Sequence, residues 1–126
     1  MGFKTDYARV HGHGAAGEGS HHWWSQRVTS VALIPLTLLF IFPFGRTLGG
    51  GHEAFVATYS NLWHALVAVL FIIAVFAHLQ QGLQTVIEDY VPNKAQRTAA
   101  LLANTLLCWA FGVAGVLSVA TVLFSA

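Results

Sequence analysis

The stretch Leu62–Leu83, LWHALVAVLFIIAVFAHLQQGL, decides the fold. It holds no Asp, Glu, Lys or Arg, and it exceeds the roughly 20 apolar residues that cross about 30 Å of hydrocarbon at about 1.5 Å per residue. A second apolar stretch, Val28–Phe44, precedes it, and a third, Ala99–Phe124, follows. Lipid offers a spanning segment no hydrogen-bond partner but itself, so three transmembrane α-helices are expected, at about 25–45, 61–89 and 97–124. The fold class is an all-α integral membrane protein whose three-helix domain occupies residues 25–126, after a polar Gly- and His-rich arm over residues 1–24. That arm lacks the apolar core of a cleaved signal peptide.

The junctions agree with these spans. Pro43, Gly45, Gly49, Gly50 and Gly51 punctuate the first, and Pro92, Asn93 and Lys94 the second. Pro35 is expected to bend the first helix. The second junction is short enough to make an antiparallel hairpin, whereas the first, with Arg46, His52 and Glu53, reads as a longer loop. Lys4, Arg9 and Arg27 precede the first span, Lys94 and Arg97 join the second to the third, and Arg46 lies alone on the other side. That bias predicts a cytoplasmic N-terminus and a periplasmic C-terminus. With no transit peptide in view, a bacterial inner membrane is expected.

Composition agrees and excludes other classes. Of 126 residues, 56% are hydrophobic and 9% charged, with a mean hydropathy of +0.62, values foreign to soluble domains. A net charge of +1 leaves no basic surface dense enough for nucleic acid. One cysteine rules out a disulfide framework or thiolate cluster within the chain, so function is sought among the 7 histidines.

His78 lies deep in the second span, where an ionisable side chain must be paired, wet or metal-bound. Neutral imidazole is an axial ligand of haem iron; the competing reading is a helix–helix hydrogen bond. At 100° per residue Gly82 and Thr85 fall near the face of His78, and Asp89 returns to it about 16 Å further on. Gly82 leaves room for something flat, or serves close helix packing. Tyr90 follows Asp89 at the boundary, either as an interfacial anchor or as a phenol that hydrogen-bonds a quinone beside a proton-relaying carboxylate. Glu88 faces elsewhere and reads as solvated.

Arg27, after His21, His22, Trp23 and Trp24, forms an aromatic and cationic anchor at the membrane boundary or pairs with an anionic group such as a haem propionate. His64 precedes His78 by about 21 Å of helix; beside Trp63 it reads as interfacial, and the alternative is a second haem ligand. His11 and His13 have no third ligand at defined spacing. On the third span Asn104, Cys108 and Gly115, with Ala114 and Ser118 beside them, read as a packing face.

The string His78-Leu-Gln-Gln-Gly82-Leu-Gln-Thr-Val-Ile-Glu-Asp89-Tyr90-Val-Pro92 resembles the smaller haem-bearing membrane anchor subunit of succinate dehydrogenase, respiratory complex II. The run His21-His22-Trp23-Trp24-Ser25-Gln26-Arg27-Val28-Thr29-Ser30 is similar to that family's approach to its first helix. The resemblance covers the chain from about His21 onward. It implies that His78 is one axial ligand of haem b, a second anchor subunit supplying the other. It further implies that Tyr90 hydrogen-bonds ubiquinone, that Asp89 lies by the proton path, and that Arg27 and His21 approach a haem propionate. An iron–sulfur subunit and a flavoprotein subunit complete the implied complex, which passes electrons from succinate to quinone.

Other readings compete with this one. They are a cofactor-free structural or assembly subunit, the anchor of a fumarate reductase, and a two-haem b-type subunit using both His64 and His78.

Overall fold

A computed structural model describes residues 5–6 and 18–125, which include four helices: α1 Glu18–Thr47, α2 Gly51–Tyr59, α3 Leu62–Tyr90 and α4 Lys94–Ser125. Three of them, α1, α3 and α4, are long and apolar enough to cross a membrane. No strand occurs among the described residues. His11 and His13 of the arm lie outside them.

Two elements depart from expectation. The first span begins at Glu18 rather than near residue 25, so the His-Trp run is helical. There the Arg27 guanidinium sits 5.3 Å from the ring centroid of Trp23, one turn back, in a cation–π pair that supports the early turns. The helix also runs through Pro35 and Pro43 to Thr47, past the expected break at Pro43. Prolines are tolerated in spanning helices because local groups take over the freed backbone.

The second departure is α2, nine residues of helix where the sequence predicts a loop. Gly49 and Gly51, at φ +89° and +69°, turn the chain through the left-handed region, and α2 starts at the second of them. Tyr59 of α2 then folds back against Phe40 of α1, 6.3 Å between ring centroids, and Phe55, one turn earlier, packs on Tyr59 at 4.7 Å. Phe40 in turn stacks on Phe44 at 5.3 Å and on Phe71 of α3 at 4.4 Å.

Side-chain caps set the remaining boundaries. Asn61 opens α3 by accepting from the Trp63 N–H at 2.9 Å. Asn93 accepts from Ala95 and Gln96 at the start of α4, and Arg97 Nε donates to the Val91 carbonyl at 2.8 Å across the connector. The short connector makes α3 and α4 the expected hairpin.

Helix α3 is the middle of the bundle: it packs on both α1 and α4, which do not meet each other. The buried core, Tyr59, Ala65, Ala68 and Val119, gathers at the α2 end. Burial pushes the Tyr59 phenol above its ordinary pKa of 10.0. On the α4 side, Gly112 and Gly115 take Phe76 and Ile72 of α3, and a methyl at Gly115 would lie 3.3 Å from Ile72 Cγ2. Asn104, Cys108 and Gly115 are thus the expected packing face, Asn104 donating to the Gln80 carbonyl at 2.9 Å, whereas Ala114 and Ser118, expected beside them, are turned outward and exposed. Large apolar residues such as Ile34, Phe42, Leu106 and Trp109 stay exposed, as spanning helices that face lipid require.

Candidate functional site at the α1–α3 seam

At the end opposite the core, α1 meets α3 through polar side chains. Residues 22, 25, 26 and 29 share one face of α1 by helical spacing, and 78, 81 and 82 one face of α3. His78 is half-buried between them. Its Nδ1 lies 3.1 Å from Thr29 Oγ1, and its Nε2 lies 3.5 Å from Gln26 Nε2. A turn further, Gln81 Nε2 donates to Ser25 Oγ at 2.6 Å.

Gly82 borders the same space. A methyl built there would meet only Gln26 Nε2, at 3.6 Å, an ordinary contact. Close helix packing therefore explains Gly115 and not Gly82. Buried side-chain polar atoms normally have partners. Among the described residues four lack one, and three of these, His22 Nε2, Gln26 Oε1 and Gln81 Oε1, belong to this seam. The seam is thus preorganised on one side of the histidine and unsatisfied on the other.

The remaining candidates lie apart from it. Arg27 is exposed and stacked on Trp23. His21 is exposed, while its neighbour His22 turns into the seam. Asp89 and Tyr90 are exposed at the end of α3, about three turns beyond His78, with Tyr90 80% accessible. Glu88 accepts from Gln84 at 2.9 Å and is exposed, as expected of a solvated group. At the other end of the bundle, His64 Nδ1 lies 3.2 Å from the Thr58 carbonyl, a local tie across the α2–α3 turn. A groove of about 460 Å³ between α3 and α4 is lined by Phe76, Ala77, Gln80 and Trp109 and does not include His78. No group of three or more metal-ligating side chains occurs among the described residues.

Sequence reasoning quoted Ser25, Gln26 and Thr29 but gave them no role, and passed over Gln81. The available signal was a polar stripe at helical spacing in the first turns of an otherwise apolar span, facing the span that carries His78.

A span with one half-buried histidine, set against a polar stripe and flanked by exposed apolar faces, defines a small helical protein with three helices fit to cross a membrane and a polar seam between two of them. Residues 1–114 match the model of the succinate dehydrogenase/fumarate reductase transmembrane subunits, and the chain belongs to that family, as a membrane anchor subunit of succinate dehydrogenase. It is 32% identical over 120 residues to the succinate dehydrogenase hydrophobic membrane anchor subunit of Paracoccus denitrificans, covering 95% of this chain and 92% of that one. The corresponding subunit of Rickettsia bellii is 28% identical over 107 residues, covering 82% and 83% of the two chains. The succinate dehydrogenase membrane anchor subunit of Reclinomonas americana is 29% identical over 86 residues, covering 66% and 72%. No solved structure is a significant match.

Proposed function

We propose that this anchor helps to bind haem b and ubiquinone and lets electrons from succinate oxidation reach the quinone pool. In this reading His78 is one axial ligand, and a second anchor subunit supplies the other. An iron–sulfur subunit and a flavoprotein subunit dock at the end bearing Arg27, Tyr90 and Lys94. That end is cytoplasmic by its excess of Lys and Arg, which leaves the C-terminus periplasmic, and the membrane is a bacterial inner membrane.

The observation that carries the proposal is His78 itself, half-buried in a spanning helix with one ring nitrogen tied to Thr29 and the other facing Gln26 and the open side of Gly82. A lone imidazole with a glycine one turn away fits one half of a bis-histidine haem site, and the unpartnered Gln26 Oε1 marks unused polar capacity beside it. Bound there, haem b would supply a one-electron store within the membrane. His21 and Arg27 would neutralise its propionates at the surface. Exposed Tyr90 would donate its phenol O–H to a quinone carbonyl, and the Asp89 carboxylate would hold and pass a proton there.

The Thr29 contact also favours a second reading, in which His78 is only a helix–helix hydrogen bond and the subunit is a cofactor-free anchor. An optical spectrum and haem-to-protein ratio of the complex purified through this chain, with and without His78→Ala, separates the two. The haem reading expects one bis-histidine haem that disappears in the variant. An unchanged spectrum, or no haem in either complex, overturns it.

A further inference from the structure

We infer that Thr29 is the positioning residue for His78: its hydroxyl fixes the imidazole as the Nδ1–H tautomer and aims Nε2 at the ligand. The inference deepens the proposed haem site and rests on that reading.

The bonding of the Thr29 hydroxyl leads to it. Thr29 Oγ1 has one hydrogen, and two carbonyls of its own helix compete for it, Ser25 O at 3.0 Å and Gln26 O at 3.1 Å. With the hydroxyl proton donated there, Oγ1 meets His78 Nδ1 at 3.1 Å as an acceptor, so Nδ1 carries the proton. On the other side of the ring, Nε2 faces an amide nitrogen, Gln26 Nε2, at 3.5 Å. The Gln26 amide can meet Nε2 through either end, its Oε1 having no other partner, so this contact leaves the tautomer to Thr29. The lone pair that a metal would take is on Nε2, and the one contact it makes here is long and weak.

The local architecture keeps Thr29 in register. Ser25, one turn earlier on the same face of α1, is tied to Gln81 of α3 at 2.6 Å, and Ser30 Oγ donates back to Gln26 O at 2.7 Å. The Ser25–Gln81 and Thr29–His78 pairs both cross from α1 to α3, so α1 cannot slide or rotate by a residue without breaking both. Among the described residues Thr29 Oγ1 is the partner of Nδ1, so that hydroxyl sets how the ring is held on this side. Groups that hold the second nitrogen of a metal-bound histidine typically change metal affinity or activity by 10- to 100-fold.

The test uses the intact purified complex and follows haem release to an excess of apomyoglobin, together with the haem midpoint potential. Thr29→Val keeps the shape and deletes the acceptor; it should release haem about tenfold faster or more and shift the potential. Thr29→Ser, which restores the hydroxyl, should stay within about twofold of the parent. Should the valine variant fail to assemble, Thr29→Ala deletes the hydroxyl without bulk and carries the same expectation. A valine or alanine complex with parental release rate and potential overturns the role of Thr29, provided His78→Ala is haem-free. A His78→Ala complex that keeps its haem overturns the haem site first, and the role of Thr29 with it.

Discussion

The two ends of α3 do opposite work. Near Ala65 and Ala68 the helix is closed in by α1, α2 and α4, and every residue of α3 that is fully buried lies in this part. Around His78 and Gln81 it is only half-covered, its neighbours are polar, and unpartnered atoms collect beside it. The first end is closed within the chain, with the Tyr59 hydroxyl its one unpartnered buried atom among the described residues; the second has hydrogen-bonding capacity to spare. The difference teaches that burial and function are separated along a single helix: small residues and aromatics hold the bundle at one end, so the other need not be packed for stability.

Two glycines offer the sharpest way to break that comparison. Gly82→Leu, at the open end, should leave the fold intact and cut haem occupancy more than tenfold, checked by pyridine haemochrome. Gly115→Leu, at the closed end, should preserve haem per assembled complex but destabilise the bundle by about 1–3 kcal/mol, because even a methyl there crowds Ile72. Equal behaviour of the two variants in both assays would dissolve the distinction. A smaller effect is expected at the surface of the open end. Tyr90→Phe should keep haem and slow quinone reduction about tenfold, the worth of one hydrogen bond, and normal quinone kinetics would remove Tyr90 from the site.

Asn104→Leu should cost about 0.6 kcal/mol, the average for a polar contact between membrane helices, because the Gln80 carbonyl it loses keeps its helical environment. The smallest change is expected at Tyr59, whose buried hydroxyl has no partner. Tyr59→Phe should leave thermal stability unchanged or slightly raised. Because the folded phenol has the raised pKa, its neutral form contributes stability below the unfolded value and loses it as pH rises through the folded one. Alkaline destabilisation above about pH 10 should therefore be weaker in the phenylalanine variant, as thermal melts against pH would record.

Much of this division was legible in the sequence because hydrophobic length and helical spacing are local signals. Leu62–Leu83 announced the central span, and His78 was conspicuous as an ionisable group at depth. The packing face of Asn104, Cys108 and Gly115 was read correctly for the same reason. Helix α2 was not legible, since a nine-residue helix is marginal alone and owes its existence to Tyr59, backed by Phe55, docking on Phe40, a tertiary event. Nor were Gln26, Thr29 and Gln81, which are unremarkable singly and gain meaning only when α1 and α3 face each other. The start of α1 at Glu18 was obscured because histidine and tryptophan read equally well as a surface arm.

The single cysteine gives the molecule a built-in clock. Cys108 is 7% exposed and sits where α4 closes on α3, with its thiol 3.5 Å from Asn104 Oδ1. Because a short connector joins these two helices, their contact costs little loop entropy and should form before α1 docks through its polar seam. In refolding from a denaturing detergent, where the unfolded thiol is still reachable, a maleimide pulse should thus lose access to Cys108 while α1 is still mobile. Labelling that persists until α1 has docked would reverse the order, making the seam the first contact and the hairpin the last.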